Sequence, residues 1–252
     1  PKARKARADA LAHARGLAES REQAKRLVMA GQVFVRRGGG LERVAKPGQP
    51  LPEDAELVLR GGQRFVSRGG EKLLTAIEAF PELRAAIPGC VALDAGASTG
   101  GFTDCLLQHG AAKVYAVDVG THQLHEKLRA DARVVSRENV NLRVAGPELI
   151  PEPVDLVVAD VSFISLTLVL PPCLQWLRPG GLAAALVKPQ FELGPGRTDR
   201  GVVRDEAARQ EAVAAVLEHA ASLGLAHLGT APSRIKGPKG NQEFLVLLRR
   251  DG

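Results

Sequence analysis

Cysteine is scarce in this chain of 252 residues. Cys90, Cys105 and Cys173 are the only three, an odd number without CxxC spacing, and the six histidines are scattered. A disulfide framework and a zinc-type cluster are thereby excluded, no metal is expected, and the thiols read as buried groups of a reduced, cytoplasmic protein. Long apolar runs are missing too. The longest, Ile164 to Leu177, is interrupted by Pro171-Pro172 and falls short of the about 20 residues that span a bilayer. The chain opens on basic and alanine residues, not on the apolar run of a secretory signal. Internal repeats and low-complexity segments are also absent.

Charge is present but unevenly spread. Residues 1–60 hold 13 Lys and Arg against 7 Asp and Glu, an excess that equals the whole net charge of +6. A basic head on a neutral body suggests that the head meets a polyanion. Ala8 to Arg15 reads as a helix closed by Gly16. Ser20 reads as the N-cap of a second, Arg21 to Ala30, stopped by Gly31. Strands are expected at Gln32 to Arg36 and Glu56 to Arg60, with Arg21, Lys25, Arg36 and Arg37 crowding one side. The run from Gly16 to Val35 resembles the S4-type RNA-binding domain, which implies basic residues presented to structured RNA, Arg7 among them. Gly61 to Gly70, with two Gly pairs and with Arg64 and Arg68, reads as a bendable, basic linker. The domain expectation is therefore 1–60 for the S4-like head, 61–70 for the linker and 71–252 for the body.

The body is organised around Val91-Ala-Leu-Asp94-Ala-Gly96-Ala-Ser98-Thr99-Gly100-Gly101-Phe102, a strand, a small-residue turn and a helix start. Such a turn lets backbone approach a ligand and offers free N–H groups. A strand ending in Asp118 follows, its acid placed for a ribose. The dinucleotide pattern G-x-G-x-x-G is missed, because Ser98 stands where the second glycine would admit a pyrophosphate. A turn preceded by the acid Asp94 suits S-adenosylmethionine, which has no phosphate and a cationic end. Asp94 and Gly96 to Phe102 are expected at the methionine part, Asp118 at the ribose, and Arg137 to Val140, with Asn139, at the adenine. Strands at 90–94, 113–118, 132–136, 154–159 and 182–188 alternate with helices at 102–109, 122–129 and 165–177. A helix, Asp205 to Leu223, then precedes strands at 225–231 and 242–249. This predicts an α/β fold, a Rossmann-like sheet with a closing antiparallel hairpin, the shape of class I methyltransferases.

After strand four the chain has Ala159-Asp160-Val-Ser-Phe163 and no Pro-Pro-aromatic tetrapeptide, which argues against base N-methylation. Cys173 lies mid-helix and reads as core, not as a nucleophile for carbon methylation. Asp160, Lys188 at the end of strand five and Glu243 at the start of the last strand all fall at the carboxyl edge of the sheet, and Lys72, on the preceding helix, can fold over it. Two lysines and two carboxylates around one spot can activate a weakly acidic hydroxyl. Two loops, Gly194 to Gly201 with Arg197 and Arg200, and Ser233 to Gly240 with Lys236 and Lys239, would frame an RNA.

Ser67 to Leu73, Asp94 to Asp104, Val114 to Gly120, Ala159 to Ser165, Val187 to Glu192 and Gly240 to Phe244 resemble the TlyA-type family. These are S4-domain ribosomal RNA ribose methyltransferases often labelled hemolysins, similar to the FtsJ group with its Lys-Asp-Lys-Glu tetrad. The resemblance implies S-adenosylmethionine-dependent 2′-O-methylation of a cytidine in ribosomal RNA. It assigns Lys72, Asp160, Lys188 and Glu243 to the tetrad and Lys188 to hydroxyl activation, with Asp160 also lining the methyl-donor site and ribosomal subunits as partners. Two other readings stay open: a non-catalytic ribosome-assembly factor and a membrane-active hemolysin.

Overall fold

The computed structural model describes residues 4–61, 64–194 and 196–252. Gly62 and Gln63 of the expected linker, and Pro195 of the first basic loop, lie outside the described residues. Two compact units meet in sequence between Arg64 and Phe65.

The smaller unit begins with strand β1 (Lys5–Arg7), helices α1 (Ala8–Ala14) and α2 (Arg21–Met29), and strand β2 (Val33–Arg37). Strands β3 (Gly40–Arg43), β4 (Pro50–Pro52) and β5 (Leu57–Leu59) complete it. Ser20 caps α2 by accepting from the Gln23 amide at 3.1 Å. Gly16 and Gly31 take φ of 72° and 73°, where a side chain would be strained, and so end the two helices. The strands form a three-stranded sheet ordered β3-β2-β5 and a separate β1-β4 pair. Three of these strands (β1, β3 and β4) were not expected, because pieces of three or four residues carry too little alternation to be read. Ala8, Ala12, Ala24, Val28, Val33, Val35 and Leu51 form the unit's own core.

The larger unit opens with α3 (Gly69–Ala79) and α4 (Pro81–Ala86), then β6 (Val91–Ala95), α5 (Gly101–Gln108) and β7 (Lys113–Val117). Next come α6 (Glu126–Arg129), β8 (Val134–Arg137), β9 (Val154–Ala159), α7 (Leu166–Cys173) and β10 (Leu177–Val187). It closes with α8 (Pro189–Glu192), α9 (Glu206–Ser222), β11 (Leu225–Pro232) and β12 (Phe244–Arg250). Seven strands make one sheet ordered β11-β12-β10-β9-β6-β7-β8. The five from β8 to β10 are parallel, while β12 pairs antiparallel with β10 and with β11. The expected α/β architecture with an antiparallel closing hairpin is what the chain forms.

Period-two alternation fills both faces. Ala92, Val114, Leu156, Val158, Leu186 and Leu245 face a core shared with α3, α4 and α5. Leu93, Val117, Val157, Val187 and Val246 face the other, shared with α7 and α9. Burial on both sides is why these strands read as nearly continuous apolar runs.

Several boundaries differ for local reasons. The helix expected over 122–129 shortens to α6, because the Glu138 carboxylate accepts from the amides of His122 and Gln123 at 2.8 and 3.1 Å and holds them out of a helix. The helix expected to reach residue 177 ends at Cys173. Pro171 and Pro172 lie inside it, and the amides of Leu174, Gln175 and Trp176 then bond back only three residues, to Pro171, Pro172 and Cys173, a tighter turn that leads directly into β10. That strand starts at Leu177, not at 182, with a register shift before Leu182. Residues 65–68, expected in a linker, are tied into the larger unit: Phe65 is buried and the Val66 amide donates to Asp104 Oδ2 at 2.8 Å.

Candidate active site

The four charged residues expected at the carboxyl edge converge there. Asp160 leaves the end of β9 and Lys188 the end of β10. Glu243 precedes β12, whose first residue, Phe244, pairs with Val187, the last of β10. Antiparallel pairing therefore brings the start of the last strand to the edge where the parallel strands end. Lys72 comes from α3. Its Nζ lies 2.8 Å from Glu243 Oε2 and 3.7 Å from Asp160 Oδ2, and Lys188 Nζ lies 2.5 Å from Asp160 Oδ1. The order in space is Glu243, Lys72, Asp160, Lys188. Glu243, Lys72 and Lys188 are buried, so the charges persist because each has an opposite partner.

Two adjoining clefts meet at this cluster. One, of about 280 Å³, is lined by Lys72, Asp160, Lys188, Ser98, Gly101 and Lys236, among others. The second, of about 400 Å³, runs past Asp118 to apolar walls that include Val140, Leu142, Val161 and Ile164. Gly96, Ser98, Asp160 and Ser162 line both, so the two lobes are continuous. Gly96 takes φ of 82°, and a Cβ there would lie 3.0 Å from Val161 Cγ1 and 3.1 Å from the Asp160 carbonyl; only glycine gives this close approach without strain. A Cβ at Gly101 would collide with Ser67 Oγ and lie 2.8 Å from the Gly70 amide, so glycine there lets the N-terminal ends of α3 and α5 pack together.

Most of the residues expected at the cofactor line these lobes: Gly96, Ser98, Thr99, Gly101, Phe102, Asp118 and Asp160. Asp118 accepts from the amides of Ser98 at 2.8 Å and Gly120 at 2.7 Å. Its carboxylate keeps free lone pairs on both oxygens, which suits ribose hydroxyls. Three expected residues sit elsewhere. Asp94 is fully buried beneath the turn, where Thr103 Oγ1 donates to its Oδ2 at 2.6 Å and Oδ1 has no partner. Burial pushes its pKa up to about 7. Gly100, with φ of 92°, packs toward Leu124 and Leu128. Asn139 accepts from Thr121 Oγ1 at 2.6 Å, while Asn141 and Arg143, further along the same segment, line the cleft.

The cations expected to meet RNA are mostly engaged with carboxylates. In the smaller unit Arg7 and Arg21 lie 2.9 and 3.7 Å from buried Asp9. The Arg7 hydrogen bonds hold the Asp9 carboxyl below the usual carboxylate range. Lys25 pairs with Glu22, Arg36 with Glu56 and Arg37 with Glu42. Arg64 is exposed. In the larger unit Arg197 pairs with Glu211, Arg200 is exposed, Lys239 donates to the Arg200 carbonyl at 3.2 Å, and Arg68 and Lys236 line the smaller lobe.

Sequence reasoning used the segment that follows Asp160 to argue against base N-methylation and as a family motif, but gave no role to Ser162 or Phe163. Ser162 Oγ accepts from Lys188 at 2.8 Å. Phe163 has φ of 64° and is 90% exposed, its ring 5.2 Å from that of Phe191. Glu192 accepts from Ser165 Oγ at 2.5 Å and the Leu166 amide at 3.0 Å, and its burial raises its pKa. A non-glycine φ of this sign costs ~1–3 kcal/mol and persists where the surroundings over-determine it; the bonds from Lys188 and Glu192 on either side do so here. The signal in the sequence was the pairing of Ser162-Phe163 with Lys188 and Phe191, which only the sheet order brings together.

An open α/β sheet closed by an antiparallel hairpin, with a nucleoside-sized cleft over its carboxyl edge, defines a methyltransferase fold. Consistent with that geometry, the chain belongs to the FtsJ-like methyltransferase family, whose model matches residues 65–250. It is 47% identical over 250 residues to the 16S/23S rRNA (cytidine-2′-O)-methyltransferase TlyA of Mycobacterium tuberculosis, covering 98% of this chain and 91% of that one. It is 39% identical over 242 residues to Hemolysin A of Brachyspira hyodysenteriae, covering 95% and 98%. A solved hemolysin-labelled structure from Streptococcus thermophilus superposes with a TM-score of 0.74 at 45% identity, covering 98% of this chain and 89% of that one. Among the described residues no helix is long and apolar enough to cross a membrane.

Proposed function

We propose that this chain transfers the methyl group of S-adenosylmethionine to the 2′-hydroxyl of a cytidine in ribosomal RNA. The observation that carries this is the Glu243–Lys72–Asp160–Lys188 chain of ion pairs at the junction of the two lobes. The larger lobe takes the adenosine part, its ribose on Asp118 and its base between the apolar walls. The turn from Gly96 to Phe102 takes the methionine part. When bound, S-adenosylmethionine supplies a methyl group on a positively charged sulfur, so the acceptor needs only a nucleophilic oxygen and a route for its proton. Lys188, anchored as an ammonium by Asp160 and Ser162, donates a hydrogen bond to the 2′-oxygen and steadies the negative charge that develops there as the oxygen attacks the methyl group, while the hydroxyl proton leaves to water. Lys72, held by the fully buried Glu243, positions the ribose, and Asp160 holds both lysines in register. Phe163 offers the target base an exposed face beside the junction. The smaller unit acts as an S4-like RNA-binding head. Its surface ion pairs are each worth only ~0–1 kcal/mol, so RNA phosphates can displace their carboxylates.

The test is tritium transfer from labelled S-adenosylmethionine to separately purified, unmodified small and large ribosomal subunits, with the product nucleoside identified by mass. Label in 2′-O-methylcytidine is the expected result and shows which subunit is the substrate. Label in a base would overturn the tetrad's role. Binding of S-adenosylmethionine and of subunits without transfer would favour an assembly factor.

A further inference from the structure

Asn241 stands two residues before Glu243 and is almost wholly buried. Its side chain spans two loops that are far apart in sequence. Oδ1 accepts from the Val203 amide at 3.0 Å, and Nδ2 donates to the carbonyls of Gly201 at 2.9 Å and Pro238 at 3.2 Å. Two carbonyls and one N–H as partners allow a single orientation of the amide group. Lys239, from the second loop, adds its bond to the Arg200 carbonyl of the first. The backbone closes the second loop on itself, the Gly237 amide donating to the Asn241 carbonyl at 2.9 Å.

The consequence reaches the tetrad. Gly237 sits so close to Glu243 that a Cβ there would collide with the Glu243 carboxylate, and Lys236, Gly237 and Pro238 line the smaller lobe. The bonds of Asn241 therefore set how closely the second loop lies against Glu243, where Lys236 stands at the smaller lobe, and how the Arg200 and Lys239 segments are held together. The Val203 amide is buried, so removing its partner leaves that N–H without a bond and without water; the Gly201 and Pro238 carbonyls are more open to solvent.

We propose that Asn241 is a positioning residue that latches the two basic loops into one jaw over the RNA-side lobe, so that the loops grip or release the RNA backbone as a unit. This rests on the reading of the site as an RNA ribose methyltransferase. Asn241 touches neither donor nor acceptor; it acts through the loop cations and through the wall that Gly237 forms against Glu243.

The test compares the full-length chain with Asn241→Ala and Asn241→Asp. Hydrogen exchange of the free protein is read at residues 197–203 and 233–241, and methyl transfer to ribosomal subunits gives KM and kcat. The latch predicts that both loops lose protection together in either variant. It also predicts that KM for the subunit rises about tenfold or more, with S-adenosylmethionine affinity within about twofold of wild type. Asn241→Asp should be at least as impaired as Asn241→Ala, since it sets a carboxylate oxygen against two carbonyls. Loss of protection in only one loop would overturn the latch, as would an unchanged KM. A parallel fall in melting temperature and S-adenosylmethionine affinity would show Asn241 to be merely structural. If the wild type transfers no methyl group, the functional reading fails, but the exchange result still decides whether the loops are joined.

Discussion

Lys72 is the only cation among the described residues within 4 Å of Glu243, and Glu243 has no solvent exposure at all. The pair joins the helix in front of the sheet to the residue just before its last strand, and its two ends are not equally replaceable. Lys72→Met leaves a buried carboxylate without a counter-charge and should cost ~3–5 kcal/mol. Lys188→Met leaves Asp160 still facing Lys72 and should cost less. The double variant Lys72→Met with Glu243→Gln should regain most of the stability and none of the methyl transfer. Denaturant unfolding of the four proteins, alongside activity, checks this; equal destabilisation by the two lysine variants would refute the asymmetry.

Asp94 gives stability a pH dependence of unusual sign for a carboxylate. Burial raises its pKa from 3.8 to about 7 in the folded chain, so the folded state holds a proton that the unfolded state has released. Its contribution is fully present below pH 3.8 and is lost as pH rises through about 7. Asp94→Asn removes this penalty. The variant's stability relative to wild type should therefore grow between pH 5 and pH 8, by an amount on the order of a few kcal/mol. Thermal melts across that range measure it, and a constant difference would show that Asp94 is already ionised at pH 5.

Phe163 is held at φ of 64° with its ring in solvent, an arrangement that serves no core. Phe163→Gly should leave stability unchanged or raise it slightly, because the strain of that backbone disappears. The same change should lower turnover on ribosomal subunits about tenfold. A stability loss typical of a buried phenylalanine, ~3–5 kcal/mol, would show that the ring packs after all.

The cysteines should be silent. All three are buried, and burial pushes the thiols of Cys90 and Cys173 up to about 11 and 12. Thiol reagents should label none of them in the native protein, and Cys173→Ser should retain methyl transfer to RNA. Rapid labelling with loss of activity would reopen a cysteine nucleophile.

Much of the site was legible before any coordinates. Asp160 and Lys188 were readable because parallel strands deliver their ends to one edge, and Glu243 because a strand after a short return must run the other way. The turn from Gly96 to Phe102 announced itself by small residues between an apolar run and a helix. Asn139 turns to Thr121 while Asn141, two residues on, lines the cleft, because a loop has no period from which side-chain direction can be read.

Local order in the sequence determined the longer strands, the cap at Ser20, the glycine stops and the identity of the four charges. Those depend on neighbours a few residues apart. Tertiary structure alone decided which charges touch, that Asp94 is sealed away while Asp118 stays in the cleft, and that Asn241 bridges two loops. It also decided that Phe163 is held out into solvent. Burial and pairing depend on what the opposite strand or loop supplies, and that partner lies tens of residues away, where no local pattern reaches.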